Sequence, residues 1–325
     1  MNKTPINRIL AATDFSECAD QAVAYAGFLA ATCPAPLDIL HVVEVPPDMH
    51  PDDAVADRFF EQRRKDAEQS LDELVRHLAS GGVSAKWRQR FGIPSQQVNA
   101  AASELHADLV VVGTHGRTGL PHILLGSTAE RVVRGAPCPA LTIRALREER
   151  QAIERGMAAV SRTLRRILCP IDFSRCSVDA LEYAAQLVQG FGASFTILHV
   201  LEPVFFDLEL GLGAVPDYEQ TRANVESRLA AVREALTQQG LTVQTAISGG
   251  VLADSIIAAA DPDRCDMIVM GTHGRRGMPH FMTGSVAESV LRRAPCPVLT
   301  VGHRAVPYLE RLIPTEIAMG LCSSS

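Results

Sequence analysis

Hydrophobic positions along this chain fall into two kinds of run, and each kind predicts a different element. Short runs that are apolar at nearly every position, Arg8–Thr13, Leu37–Val43, Asp108–Gly113 and Pro139–Arg144, fit strands buried on both faces. Longer stretches with apolar residues three and four apart, Cys18–Ala31, Asp53–Ala79, Pro94–His106 and Ser127–Arg134, fit helices that lay one face on a core. Val83–Phe91 alternates apolar and polar residues and fits a half-buried strand. Pro46-Pro47 closes the second strand, Gly81-Gly82 stops the long helix, and Pro94 falls in the first turn of the next one. The second half repeats the order with strands at Arg166–Ile171, Ser194–Leu201, Thr242–Ser248, Cys265–Gly271 and Pro297–Val301.

Apolar strands that alternate with helices require a parallel sheet covered on both faces, because each crossover helix packs back on it. The predicted fold class is therefore α/β, with two tandem doubly wound domains of five parallel strands each. Asp14 and Asp172, His41 and His199, Gly113 and Gly271, and Cys138 and Cys296 are each 158 residues apart, so no net insertion separates the copies. The expected boundaries are 1–146 for the first domain, 147–162 for a charged, helix-prone linker and 163–303 for the second domain. Residues 304–325, with Pro307, Pro314 and a Ser-rich end, read as a partly disordered appendage.

Composition narrows the function classes. In 325 residues, 47% hydrophobic and 21% charged, no apolar run approaches the ~18 needed to span a bilayer. The opening MNKTPINRILAATD reads as a polar lead into a strand, and a cytoplasmic location is expected. A net charge of −6 with 5% aromatics argues against a general nucleic-acid binder, which needs a basic face and stacking platforms. Eight cysteines without CxxC spacing fit neither a disulfide scaffold nor a zinc ribbon. The repeat-equivalent pairs Cys18/Cys176 and Cys138/Cys296 read as small buried hydrophobes.

The chemistry is expected outside the carboxyl ends of strands one and four, where a doubly wound sheet reverses its strand order and opens a crevice. Asp14 and Asp172 end the first strand of each copy, and Gly113 and Gly271 end the fourth. Gly113-Thr-His-Gly116, nine residues and Gly126-Ser127 recur as Gly271-Thr-His-Gly274, nine residues and Gly284-Ser285. Such glycines let backbone turn tightly and approach a ligand, and Gly126-Ser127 opens a helix whose N–H groups can hold phosphate. Ser127 and Ser285 could cap that helix or touch phosphate. Arg117 and Arg275 fall inside the loop as phosphate ligands or solvated cations. Asp14 and Asp172 could accept bonds from a ribose or hold Mg²⁺, or cap the helix that follows.

His115 and His273 recur, with His122 and His280 nearby, but no acidic or thiolate partner stands at ligand-like spacing, so no metal centre is expected. His41 and His199, inside apolar strands, read as satisfied core histidines. GTHGRTG is not the GxGxxG dinucleotide fingerprint and follows the fourth strand, and neither a GxSxG elbow nor a receiver-type acidic pair is present. The halves differ after the second strand: Pro46–Asp53 is polar and acidic, whereas Pro203–Gly213 is apolar and contains Phe205-Phe206, a lid, a docking surface or a contact between the halves.

Strand-TDFS or strand-PIDFS, then LHV, then GTHG, nine residues, GS and finally APCPxLT occurs twice, from about 5 to 145 and 163 to 303. The segments from loop to last strand are about two thirds identical. This pattern resembles the universal stress protein family. The resemblance implies the strand order 3-2-1-4-5 and, with the glycine motif intact, binding of ATP, which Mg²⁺ held at Asp14 or Asp172 could accompany. Carried over by position, adenine would lie near Val42 and Val200, and the ribose and phosphates near Asp14 and Asp172. The phosphate chain would lie over Gly113, Gly116, Gly126 and Ser127 and their partners Gly271, Gly274, Gly284 and Ser285, and Val112, His115, Arg117, Thr128, Met270, His273, Arg275 and Val286 are further expected binding residues. Ala12 departs from the proline common at its position, which Pro170 retains.

The resemblance also implies dimerisation through the last strand. In a tandem chain Ala140–Arg144 and Val298–Gly302 are the natural partners, since each is entered through a proline that cannot donate to a ladder, with a homodimer as the alternative. The expected function is that of an adenine-nucleotide-dependent stress or signalling factor. The alternatives are a slow ATPase and a nucleotide-independent adaptor working through Val204–Phe206 and Leu208–Leu212.

Overall fold

A computed structural model describes residues 4–44, 54–116, 125–144, 163–202, 218–274, 284–302 and 311–322. The first repeat runs β1 (Ile9–Thr13), α1 (Glu17–Thr32), β2 (Leu37–Val43), α2 (Ala54–Ser80), β3 (Ala85–Phe91), α3 (Pro94–Glu104), β4 (Leu109–Gly113), α4 (Ser127–Gly135) and β5 (Ala140–Ile143). The second runs β6 (Arg166–Pro170), α5 (Arg175–Phe191), β7 (Ser194–Leu201), α6 (Tyr218–Gln238), β8 (Val243–Gly249), α7 (Leu252–Ala259), β9 (Met267–Gly271), α8 (Ser285–Arg293) and β10 (Val298–Val301), followed by α9 (Thr315–Cys322). Every strand read from the hydrophobic pattern is present, with ends shifted by up to two residues.

The chain forms two compact units. One contains Pro5–Thr163 together with Pro297–Pro307, and the other Met1–Thr4, Leu164–Cys296 and Tyr308–Ser325. In the first unit β1 to β5 are parallel in the order 3-2-1-4-5. β10 joins β5 antiparallel, with Val298 opposite Thr142 and Thr300 opposite Ala140. Buried hydroxyls tie that pair together: Thr142 Oγ1 donates to the Val298 carbonyl at 3.0 Å and Thr300 Oγ1 to the Ala140 carbonyl at 3.1 Å. In the second unit β6 lies between β7 and β9, and β8 follows β7, all parallel.

Leu109–Val111 and Ile9–Ala11 are fully buried, as a sheet covered on both faces demands. β3 and β8 alternate between partly and fully exposed positions, in line with the period-two reading. Asp38 is the exception inside β2. It is 5% exposed and accepts from Arg88 Nε of β3 at 2.9 Å. Removing the guanidinium leaves a buried carboxylate without that donor, so Arg88→Met is expected to cost about 1–3 kcal/mol in urea unfolding. An unchanged midpoint would show that solvent already satisfies Asp38.

The tail departs from expectation. The sequence predicts a partly disordered appendage, but Thr315–Cys322 is a helix in the second unit, and Ile313 and Leu321 are 1% and 2% exposed. The helix is only eight residues long and starts directly after Pro314, too short a stretch for a helical period to stand out from the sequence. The linker, the Pro46–Asp53 stretch and the Pro203–Gly213 stretch with Phe205 and Phe206 lie outside the described residues.

Candidate functional site

Chain reversal at the end of β1 sets the site. Thr13 ends the strand, Asp14 follows, and Phe15 takes φ +60°, a left-handed conformation that costs a bulky side chain about 1–2 kcal/mol. Phe173 repeats it at φ +63°. Two contacts hold the strained turn. The Phe15 N–H donates to Thr13 Oγ1 at 3.0 Å, and its ring lies 4.5 Å from the His41 ring. Phe173 stacks on His199 at 4.8 Å. His41 Nδ1 stands 2.8 Å from the Thr13 carbonyl and His199 Nδ1 2.8 Å from the Ile171 carbonyl. A carbonyl only accepts, so Nδ1 carries the proton in both rings. These are the satisfied core histidines the strand pattern predicts, with an added task of supporting the turn.

The turn aims the aspartate. Asp14 Oδ1 accepts the Ser16 N–H at 3.0 Å, and Asp172 Oδ1 accepts the Ser174 N–H at 3.0 Å. The N-caps of α1 and α5 are Ser16 and Ser174, not the aspartates, which corrects the helix-cap alternative. The second carboxylate oxygen points at the glycine loop. A Cβ at Gly116 would stand 2.6 Å from Asp14 Oδ2, and one at Gly274 2.8 Å from Asp172 Oδ2. These two glycines are what lets carboxylate and loop backbone share one crevice.

The other glycines serve packing and loop closure. A Cβ at Gly113 would meet the Cys18 carbonyl carbon at 2.9 Å and oxygen at 3.0 Å, and Gly271 meets Cys176 in the same way. Here β4 crosses directly over the first turn of α1. Cys18 Sγ donates to the Ile143 carbonyl at 3.1 Å, so this buried thiol is used as a small packing group. Burial, aided by Asp108, pushes the Cys138 thiol up to about 12, which keeps it protonated and inert at neutral pH.

Gly126 N donates to the Thr114 carbonyl at 2.7 Å and Gly284 N to the Thr272 carbonyl at 2.9 Å, which brings the two ends of each loop together. Gly126 and Gly284 are themselves the N-caps of α4 and α8, without a side-chain cap bond. Ser127 and Ser285 therefore occupy the first helical position, which corrects the capping alternative for these two serines. Both are exposed, beside first-turn N–H groups that have no acceptor within the helix. His115 and His273 place Nδ1 2.9 Å from Thr114 Oγ1 and Thr272 Oγ1. No group of three metal-ligating side chains occurs among the described residues. Arg117, Arg275, His122 and His280 lie outside them.

In the first repeat these groups line one cavity of about 650 Å³. That volume lies within the ~300–1,000 Å³ typical of small-molecule sites. Ala12, Asp14, Val42, Val112, Gly113, His115, Gly116, Gly126, Ser127 and Thr128 all border it. Sequence reasoning missed its far wall, Arg63, Asp66 and Ser70 of α2 with Pro94 and Val98 of α3. The helical pattern assigned those helices correctly, but only the crossover geometry shows which turn faces the crevice. In the second repeat Asp172, His273, Gly271, Gly274 and Gly284 hold the same relations, while Pro170, Val200 and Met270 are buried in the strands beneath.

A parallel sheet wound in both directions from β1, with a crevice at the reversal, defines a Rossmann-like α/β protein. The chain belongs to the universal stress protein family, whose model matches residues 5–144 and again 163–302. A universal stress protein of Mycolicibacterium smegmatis is 24% identical over 91% of this chain and 97% of its own length, so the tandem arrangement is shared. The universal stress protein MJ0531 of Methanocaldococcus jannaschii is 31% identical over 42% of this chain and 81% of its own. In fold, the chain is similar to a universal stress protein from Archaeoglobus fulgidus, with TM-score 0.67, 23% identity and coverage of 91% and 98% of the two chains. No described helix is long and apolar enough to cross a membrane.

Proposed function

We propose that the first crevice binds ATP and that the chain acts as a nucleotide-dependent stress or signalling factor. The observation that carries this reading is the pairing of Gly116 with Asp14. A carboxylate able to accept from ribose hydroxyls stands against backbone that only glycine permits, beside the open N-terminus of α4. The residues fit the ligand: Val42, Val112 and Val98 offer an apolar wall to the base, and Ser127 and Thr128, in the first turn of α4, offer N–H groups to the phosphates.

Charge refines the ligand. Asp14, Glu44 and Asp66 border the cavity against Arg63 as the cation among its described lining. A triphosphate entering that field needs a companion cation, which Mg²⁺ supplies. Chelating Mg²⁺ is therefore expected to weaken ATP binding more than AMP binding, which calorimetry with and without EDTA would show. Equal losses would remove the metal from the account.

The antiparallel register of β5 with β10 supports a second part of the proposal, that the second repeat donates its last strand to the first unit and so replaces the dimer contact by an intramolecular one. A thermal-shift series with ATP, ADP and AMP on protein freed of carried-over ligand tests the reading. Binding to the folded state alone stabilises by about 2.7 kcal/mol at a hundredfold excess over Kd. No shift with any nucleotide would count against it.

A further inference from the structure

The two repeats differ at two positions that serve one purpose. Ala24 of α1 is exposed, but its equivalent 158 residues on is Glu182 of α5, which is 8% exposed. Ser70 of α2 borders the first cavity, but its equivalent is Arg228 of α6. Both replacements bind the C-terminal segment. Glu182 accepts from the Leu312 and Ile313 N–H groups, the second at 3.1 Å. Arg228 Nη2 donates to the Leu321 carbonyl at the end of α9, and its guanidinium carbon lies 3.8 Å from the centroid of the Phe173 ring. Burying a carboxylate is costly unless donors meet it, and here the tail's own backbone supplies them.

The position of Arg228 is what matters for the second crevice. Phe15 and Ser70 both border the first cavity, with open volume between them and the glycine loop. In the second unit the guanidinium rests on the ring of Phe173, the equivalent of Phe15, and α9 covers it. α9 thus ends against Arg228, the residue that lies on the Phe173 ring next to Asp172 in the turn of the second glycine cradle.

We propose that the C-terminal helix is a built-in strap on the second repeat, locked by Glu182 and Arg228, and that the native chain binds a single nucleotide in its first crevice. The single-site count rests on the nucleotide reading above, whereas the strap does not. Displacing α9 and Arg228 opens the second crevice to a second nucleotide.

The full-length Glu182→Ala plus Arg228→Ser variant, which installs the residues of the first repeat, tests this by calorimetric ATP stoichiometry and amide exchange of Leu312–Cys322. One ATP per wild-type chain, two per variant chain and at least tenfold faster exchange in the variant are expected. Two ATP in the wild type overturns the proposal, as does a single ATP in a variant whose tail exchanges freely. No ATP in either protein strikes the nucleotide reading instead. The strap is then judged by exchange alone, and equal protection in both proteins overturns it. Should the double variant fail to fold, Ile313→Asp plus Arg228→Ser releases the tail from its own side and clears the Phe173 ring while leaving Glu182 in place, and the same outcomes apply.

Discussion

Gly116→Ala is expected to lower ATP affinity on the order of 10–100-fold while leaving the fold intact. The added methyl group meets Asp14 Oδ2 at 2.6 Å, the far end of a side chain that can swing aside without moving backbone. Swinging it removes the carboxylate from the crevice, and a hydrogen bond to a charged acceptor contributes about 1.5–3 kcal/mol. At about 1.4 kcal/mol per decade, that loss alone gives the stated range. The unfolding midpoint should barely move. Asp14→Ala should reproduce the binding loss without the added methyl group. Unchanged affinity in both variants would detach the aspartate and glycine pair from nucleotide binding.

Gly113→Ala is expected to show the opposite split, a large loss of stability. Its Cβ would stand 2.9 Å from the Cys18 carbonyl carbon and 3.0 Å from the oxygen, and these backbone atoms belong to the first turn of α1. Relief requires moving the helix away from β4, and overpacking of that kind costs about 1–3 kcal/mol. Gly271→Ala meets Cys176 in the same way and should cost a similar amount in the second unit. Urea unfolding followed by circular dichroism reads both. Stability equal to wild type in either variant would mean that β4 or β9 sits further from its helix than described.

Much of this could be read from the residues alone, for identifiable reasons. Leu109–Gly113 is an unbroken apolar run, and such a run between helices admits few placements other than a central parallel strand. The constant offset of 158 located both glycine loops and their aspartates without any knowledge of contacts. Other features left no such trace. The left-handed φ of Phe15 and Phe173 runs against the preference of the residue type and is imposed by the turn and by the histidine rings. The N-cap of α4 slipped by one residue because glycine and serine are both acceptable there, and the loop closure from Thr114 decides between them. The tail helix escaped because its anchors, Glu182 and Arg228, lie more than 90 residues away in sequence. Comparing Ala24 with Glu182 and Ser70 with Arg228 would have marked the second repeat as the one with something extra to hold.

The contrast between Gly113 and Gly116 also separates two uses of glycine in one loop. One makes room for a helix of the protein itself, and the other makes room for a carboxylate and the ligand it faces. Only the second use bears on function, so binding and stability should respond independently.

Equilibrium dialysis of labelled ATP with Mg²⁺ against ligand-free, full-length protein tests the central claim most directly. Saturable binding that Gly116→Ala weakens is the predicted result. A crevice that takes up no ATP at millimolar concentration, in protein shown to be folded, would contradict it.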